Sequence, residues 1–196
     1  MMRNRSTLEI RGLNRRQFCK AGLVALAGLT LPTPLLADSA ESLPPERQLS
    51  FYHTHTGETL NSATYWANGT VQPSALVDIY QILRDHRSHE ISAIDLELLD
   101  QLVLLNRTLD NREPLHVISG FRSVKTNQYL RSKSQGGGVA KYSLHMDGRA
   151  IDIRVPGFST EQLHQTAVSL KKGGVGLYPG LKFVHIDTGP IKYWQG

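Results

Sequence analysis

The sequence contains a single cysteine, Cys19, among its 196 residues. One cysteine forms neither an intramolecular disulfide nor a cysteine-based zinc ribbon, so neither device can hold the fold together. The sequence also lacks a glycine-rich phosphate-binding loop and an apolar run long enough to span a bilayer. A chain of this length with 40% apolar residues can bury a core of its own. We therefore expect one globular domain rather than a disordered or disulfide-bonded chain.

The chain has no excess of either charge outside its first 20 residues. Its net charge of +5 would ordinarily suggest a nucleic acid or an anionic lipid surface as a partner. Six of the 22 Lys and Arg residues lie within residues 1–20, whereas Glu9 is the one acidic residue there out of 17. The other 176 residues hold 16 basic and 16 acidic side chains. The body of the protein is electrically balanced, and we expect no nucleic-acid partner.

Residues 1–37 have the layout of an export signal. Basic residues precede the apolar run 21–31, and small residues precede a polar stretch. An apolar run of about eleven residues reaches about 16 Å as a helix, which is too short to cross a bilayer. Residues 14–20, Asn-Arg-Arg-Gln-Phe-Cys-Lys, resemble a twin-arginine export signal with two departures from its pattern, so the general secretion route stays open. We expect cleavage after Ala37, a periplasmic location and no stable membrane insertion afterwards.

The remaining residues divide into a short linker and one folded domain. Residues 38–50 are polar and contain proline, which is typical of a linker, and we expect residues 51–196 to form the domain. Helices and strands alternate with short connections, which favours an α+β fold with a small central antiparallel sheet flanked by helices. The predicted helices begin at Pro73, span 92–109 and 124–133, and run from Ser159 to Gly173; the predicted strands are 49–52, 64–66, 115–119, 150–155, 175–178 and 182–187.

Two predicted strands carry histidine and aspartate on the face opposite to their apolar residues. Asp152 alternates with isoleucines on one strand and follows His145 in the preceding loop, while His185 and Asp187 alternate with apolar residues on the other. Two histidines and one carboxylate with an open fourth position are what catalytic zinc requires, and zinc supplies a hydroxide-like water near neutral pH. The alternative is a half-exposed strand with an aspartate on its solvent face.

Residues 143–152 match the pattern Ser-x-His-x-x-Gly-x-Ala-x-Asp at every fixed position. This pattern resembles that of the LAS metallopeptidases, the group of lysostaphin, D-alanyl-D-alanine peptidases and hedgehog domains. The resemblance implies a hedgehog/D-alanyl-D-alanine-peptidase-like fold with one zinc ion (Zn2+) per chain. His145 and Asp152 would bind this ion, and His185 on a neighbouring strand would complete the site.

Further segments extend the resemblance to about residues 50–194. Residues 119–123, Ser-Gly-Phe-Arg-Ser, resemble a family segment whose arginine steadies the oxyanion, which implies that role for Arg122. The twin-arginine leader and residues 183–189, Phe-Val-His-Ile-Asp-Thr-Gly, are similar to those of the periplasmic murein endopeptidase K group.

The sequence departs from the family where a general base is expected. Many members carry His-x-His or a glutamate before the last ligand, and Phe183 and Lys182 occupy those positions here. Asp187 lies on the same face as His185 and is the candidate replacement base; its alternative role is to orient His185. The candidate substrate-binding residues are Ser143, Tyr142 and Tyr178.

The resemblance implies an exported zinc metallopeptidase that hydrolyses peptide cross-links of peptidoglycan. The expected bond joins two diaminopimelate residues (an L,D cross-link), the expected partners are peptidoglycan stem peptides, and we expect a monomer. Two alternatives stay open. One is a D,D-carboxypeptidase or dipeptidase with the same chemistry, and the other is a non-catalytic peptidoglycan-binding module that retains zinc for structure.

Overall fold

The computed structural model describes residues 42–134 and 138–196. The predicted export signal and the first residues of the predicted linker lie outside the described residues. Within the described part of the chain, no helix is long and apolar enough to cross a membrane.

A single sheet of eight strands forms the centre of the described domain. Across the sheet the order is β3-β2-β1-β4-β5-β7-β6-β8, and only the pairs β1–β4 and β6–β8 are parallel. The predicted α+β class is confirmed, although the sheet is larger than expected and mixed rather than purely antiparallel. The strands are β1 (Arg47–His53), β2 (Thr59–Ala67), β3 (Thr70–Val71), β4 (Leu115–Ser119), β5 (Ala150–Arg154), β6 (Gly174–Tyr178), β7 (Phe183–Asp187) and β8 (Lys192–Gln195).

The first α-helix begins with a proline and no side-chain cap, whereas the other three α-helices of the described residues begin where a side chain accepts from a backbone N–H of the first turn. Asp95 accepts a hydrogen bond from Glu97 N and starts the second helix later than residue 92, where the sequence placed it. Ser159 and Gln162 form the predicted capping box of the last helix. The helices are α1 (Pro73–Ile82), α2 (Leu96–Thr108), α3 (Val124–Lys133) and α4 (Thr160–Ser169), with a short 3-10 helix at Leu144–Asp147.

The core lies between one face of the sheet and three of the helices. Cross-strand partners such as Ile151 and Ile186 share this face, and both are buried. Helices α1, α2 and α4 pack against it and contribute side chains to the same apolar cluster. Because strand side chains alternate between faces, residues 152 and 185 point to the opposite face of the sheet.

The folded domain begins before residue 51. Arg47 opens β1, and its guanidinium donates to both carboxylate oxygens of Asp100 at 3.0 and 2.9 Å. The guanidinium carbon also lies 4.5 Å from the ring centroid of Trp66. Residues 47 and 48, which the sequence placed in the linker, are therefore part of the sheet, and β1 begins two residues before the predicted strand 49–52. Two further strands were missed because β3 has two residues and β8 lacks an alternating apolar pattern.

Candidate metal centre

Three side chains converge on the face of the sheet opposite to the core. Asp152 of β5 and His185 of β7 are direct partners in the antiparallel ladder, and His145 comes from the 3-10 helix just before β5. Asp152 Oδ1 lies 2.9 Å from His185 Nδ1 and 3.2 Å from His145 Nε2. The two ring nitrogens lie 3.2 Å apart. These three atoms, which we call the donor triangle, could bind a single metal ion.

Gly148 explains the fixed spacing between His145 and β5. It ends the 3-10 helix in the left-handed region, with φ of 66°, which glycine adopts without strain. A Cβ atom at this position would overlap the carbonyl oxygen of Ala93. The glycine therefore allows the chain to turn sharply from the histidine into the strand that carries Asp152.

Hydrogen bonds outside the donor triangle fix which ring nitrogen of each histidine faces it. His145 Nδ1 donates to the carbonyl oxygen of Gly120 at 2.8 Å, which leaves the lone pair on Nε2. His185 Nε2 donates to Asp187 Oδ2 at 3.1 Å, which leaves the lone pair on Nδ1. Such bonds to the far nitrogen are typical of metal-binding histidines. Two oriented imidazoles and one carboxylate fit the donor set of a catalytic zinc site.

The protonation of the three side chains is strongly coupled. Burial lowers the pKa of His145. Burial by itself raises the pKa of Asp152, but the contacts with His145 and His185 hold it well below its ordinary value. Burial also lowers the pKa of His185, but its hydrogen bonds to Asp152 and Asp187 raise that pKa to about 9. A proton and a metal ion therefore compete for the same lone pair on His185.

The centre is more buried than alternation along the strands indicated. His145 is 2% exposed and Asp152 6%, which contradicts the alternative of an aspartate on the solvent face of a half-exposed strand. The alternation of side chains along a strand assigns each residue to the correct face of the sheet, but it does not show which other segments cover that face. The segment that contains Arg122 covers one side of the centre, and Trp194 of β8 lies beside His185 on the other.

Arg122 lies directly beside the donor triangle. Its Nη2 is 3.3 Å from Asp152 Oδ2 and 3.4 Å from Ser119 Oγ, and its Nη1 is 3.5 Å from Asn127 Oδ1. Burial lowers the pKa of Arg122, while the charge of Asp152 raises it. Ser119 belongs to the segment 119–123 that carried the resemblance, but the sequence assigned a role in it to Arg122 alone. Asn127 was missed because nothing in the local sequence connects a polar helix residue to this site.

Asp187 is held by hydrogen bonds on both carboxylate oxygens. Its Oδ1 accepts from the backbone N–H groups of Gly174 at 2.9 Å and Gly189 at 2.7 Å, and its Oδ2 accepts from His185. A Cβ atom at Gly174 would lie 2.5 Å from Asp187 Oδ2, so the glycine makes this close approach possible. Asp187 thus contacts the candidate metal ligand His185 at Nε2, the ring nitrogen that faces away from the donor triangle.

Comparison with known proteins connects this geometry to one family. Residues 41–194 match the family model described as peptidoglycan L,D-endopeptidase MepK. The chain belongs to this family of peptidases. The resemblance to the LAS-type zinc peptidases, and within them to the murein endopeptidase K group, is confirmed.

Curated relatives match almost the whole chain. The peptidoglycan L,D-endopeptidase MepK of Escherichia coli strain K12 is 41% identical over 181 residues, which cover 92% of this chain and 97% of the relative. The protein of the same name from Shigella flexneri matches equally well. The probable peptidoglycan L,D-endopeptidase MepK of Haemophilus influenzae is 37% identical over 185 residues, or 93% of this chain and 96% of the relative.

The three predicted substrate contacts lie at different distances from the centre of this peptidase. Tyr178 is near it, because its hydroxyl accepts from Nε1 of Trp194 at 3.0 Å and the Trp194 ring lies 5.3 Å from that of His185. Ser143 directly precedes the 3-10 helix that carries His145. Tyr142 is 82% exposed at the surface.

Trp194 is a site residue that sequence reasoning missed. Its indole packs on Gly176 of β6, where a Cβ atom would lie 2.5 Å from Trp194 Cε2. A glycine in β6 is a weak indication of close packing at that position, but it does not identify the residue that packs there. Gly176 and Trp194 are register partners in the parallel pairing of β6 with β8, and this pairing is visible only in the folded chain.

Proposed function

We propose that this chain is an exported, zinc-dependent endopeptidase that hydrolyses the L,D cross-links of peptidoglycan, in which one diaminopimelate residue is joined to another. The donor triangle of His145, Asp152 and His185 is the observation that carries this proposal. The curated relatives are named peptidoglycan L,D-endopeptidases. Because peptidoglycan lies outside the cytoplasm, we further propose a periplasmic monomer exported through residues 1–37 by the twin-arginine route.

The three donors would hold one zinc ion through His145 Nε2, Asp152 Oδ1 and His185 Nδ1. When bound, zinc polarises the scissile carbonyl and lowers the pKa of the attacking water. The protein contributes the orientation of the two imidazoles, through Gly120 and Asp187, and a largely buried setting that strengthens electrostatic interactions.

Arg122 would stabilise the negative charge that develops on the carbonyl oxygen. Its guanidinium is already beside the donor triangle, and its contacts of 3.3–3.5 Å are long enough to be exchanged for a shorter bond to an oxyanion. Tyr178 is close enough to the centre to contact bound substrate. We propose that Ser143 and Tyr142 contact parts of the stem peptide farther from the scissile bond.

For Asp187 we propose the orienting role rather than that of general base. Its three hydrogen bonds support this choice, because one of them fixes His185 and the other two hold the carboxylate in place. In the Asp187→Asn variant, the amide oxygen would keep the two backbone N–H donors, so the amide NH2 group would face His185 Nε2. Two donors would then face each other, which favours the His185 tautomer that carries its proton on Nδ1. We expect zinc affinity to fall about 10- to 100-fold, with most of kcat restored at saturating zinc.

A zinc titration of activity tests the role of Asp187. A kcat that stays low at saturating zinc would contradict the orienting role and support the general base. Asp147→Asn is the matched control, since Asp147 is exposed in the 3-10 helix next to the site, and it should leave both zinc affinity and kcat unchanged.

Digestion of purified muropeptide dimers tests the proposed function itself. We expect the enzyme to cleave dimers joined through two diaminopimelate residues, to lose this activity on chelation and to regain it with zinc, as followed by liquid chromatography and mass spectrometry. Trimming of monomeric stem peptides without dimer cleavage would instead identify a carboxypeptidase. Binding of peptidoglycan by the zinc-loaded protein without any cleavage would identify the non-catalytic module.

A further inference from the structure

The loop after α1 contains a buried carboxylate that the proposed reaction does not use. Asp85 is 2% exposed. Its Oδ1 accepts from the backbone N–H groups of Arg87 at 2.9 Å and Ser88 at 3.3 Å, and its Oδ2 accepts from the backbone N–H of Ser123 at 2.9 Å. One side chain therefore joins the turn after α1 to the residue that follows Arg122.

The bond from Ser123 completes a row of three backbone anchors around Arg122. Phe121 N donates to Leu83 O at 2.8 Å, Arg122 N donates to His145 O at 3.0 Å, and Ser123 N donates to Asp85. Three consecutive N–H groups thus bond to two separate parts of the chain, the turn after α1 and the 3-10 helix that carries His145. The first two acceptors are backbone carbonyls, so Asp85 provides the anchor that depends on a side chain.

These backbone anchors matter because the guanidinium of Arg122 is only loosely held. Its three side-chain contacts measure 3.3, 3.4 and 3.5 Å, at or beyond the long end of the range for N–H···O hydrogen bonds. Contacts of this length restrain direction weakly. The position of the guanidinium therefore depends largely on where the backbone of residues 121–123 is fixed.

Asp85 is suited to this task because it remains ionised. Burial raises its pKa, but the hydroxyl of Thr126 and the backbone N–H groups of Ser123 and Arg87 hold that pKa well below its ordinary value. Its negative charge also raises the pKa of Arg122 and so opposes the effect of burial on the guanidinium. An ionised carboxylate accepts from several donors at once, which a neutral amide oxygen at the same place cannot match.

We propose that Asp85 is a positioning residue for catalysis, which fixes the backbone at Ser123 and thereby holds the Arg122 guanidinium beside Asp152 where the oxyanion forms. This inference rests on the proposed function, since it requires that Arg122 stabilises the transition state. Asp85 itself is separated from the donor triangle by Arg122 and acts through it.

The Asp85→Asn variant tests the proposal, because the amide keeps the shape of the side chain but replaces one acceptor with a donor. We expect kcat on diaminopimelate-linked dimers to fall about 10- to 100-fold, since a small misplacement of a catalytic group has effects of this size. KM should stay within about twofold and the zinc content should not change, since the donor triangle is not altered and Arg122 acts mainly on charge that develops in the transition state.

Asp100→Asn is the matched control. Asp100 is a partly buried carboxylate that bonds to Arg47 and the hydroxyl of Tyr65 instead of the Arg122 segment. Its replacement should lower the melting temperature while leaving kcat unchanged. A general loss of stability is thereby separated from a loss of positioning.

A double-mutant cycle with Arg122→Ala decides whether Asp85 acts through Arg122. If it does, Asp85→Asn should cause no further loss of kcat in the Arg122→Ala background. If Asp85 acted independently of Arg122, the fold-losses of the two single variants would multiply in the double variant. Wild-type kcat in Asp85→Asn, or multiplied losses in the double variant, would overturn the proposal. A wild-type enzyme that fails to cleave the dimers would overturn the proposed function instead.

Thr126→Val provides the same test should Asp85→Asn not fold. It removes one hydroxyl that bonds to the Asp85 carboxylate and so loosens the anchor at Ser123, while the two anchors to the backbone carbonyls of Leu83 and His145 stay in place. We expect a loss of kcat of about threefold to tenfold with KM unchanged, and no loss in the Arg122→Ala background. An unchanged kcat in this folded variant would count against the proposal.

Discussion

Replacing His145 with alanine is expected to lower cross-link cleavage about 1,000-fold or more, because two donors do not hold zinc in the geometry that activates water. The side chain is 2% exposed and bonds to Gly120 O, so the variant also leaves a backbone carbonyl without its partner. Zinc content measured by mass spectrometry and the rate of dimer cleavage should fall together. Added zinc should restore little activity, in contrast to Asp187→Asn.

His164→Ala is the control for the loss of a histidine. His164 lies on α4, which packs on the core face of the sheet, away from the donor triangle. This variant should keep its zinc and its activity. If His145→Ala retained wild-type cleavage with a correct fold, the assignment of the donor triangle as the catalytic centre would be wrong.

Replacing Arg122 with alanine is expected to lower kcat about 100- to 1,000-fold while zinc binding is retained, the size of effect seen when one donor to an oxyanion is removed. KM should change less than kcat, because the interaction strengthens only when charge develops on the carbonyl oxygen. Single-turnover cleavage of dimers at saturating zinc measures this separation. Zinc titration of the same preparation shows whether loss of the contact with Asp152 weakens the metal site.

Two companion variants sharpen the test of Arg122. Arg122→Lys keeps the charge but not the planar fork, so we expect partial activity between those of the wild type and the alanine variant. Arg131→Ala removes an exposed arginine from α3 and should have no effect. A kcat within threefold of the wild type in Arg122→Ala would show that this side chain does not stabilise the oxyanion.

Local patterns predicted most of the elements that carry the donors. The period-two alternation predicted β5 and β7 within one residue, and the sequence placed His145 in the segment that leads directly into β5. These predictions succeeded because they depend on neighbours in the sequence. Strand β8 and its Trp194 carried no such pattern, and the mixed character of the sheet comes from pairings between distant segments.

The surroundings of the donors could not be predicted, because they involve segments that are far apart in the chain. Gly120 is 25 residues from His145, and Asp85 is 38 residues from Ser123. No spacing rule connects such pairs. The burial of Asp152 was missed for the same reason, since alternation indicates which face a residue occupies but not whether another segment covers that face.

The sequence by itself determined the kind of chemistry: one cysteine, a charge excess confined to the first 20 residues, and a fixed spacing of histidine, glycine and aspartate that indicates a metallopeptidase. The tertiary structure alone decided which nitrogen of each histidine faces the triangle, that Asp187 is held on both oxygens, and that Asp85 anchors the segment of Arg122. Residue identity fixes which atoms can bind a metal or a proton. The orientation of His145 and of the Asp187 carboxylate depends on hydrogen bonds to distant segments, and these bonds form only when the sheet has assembled.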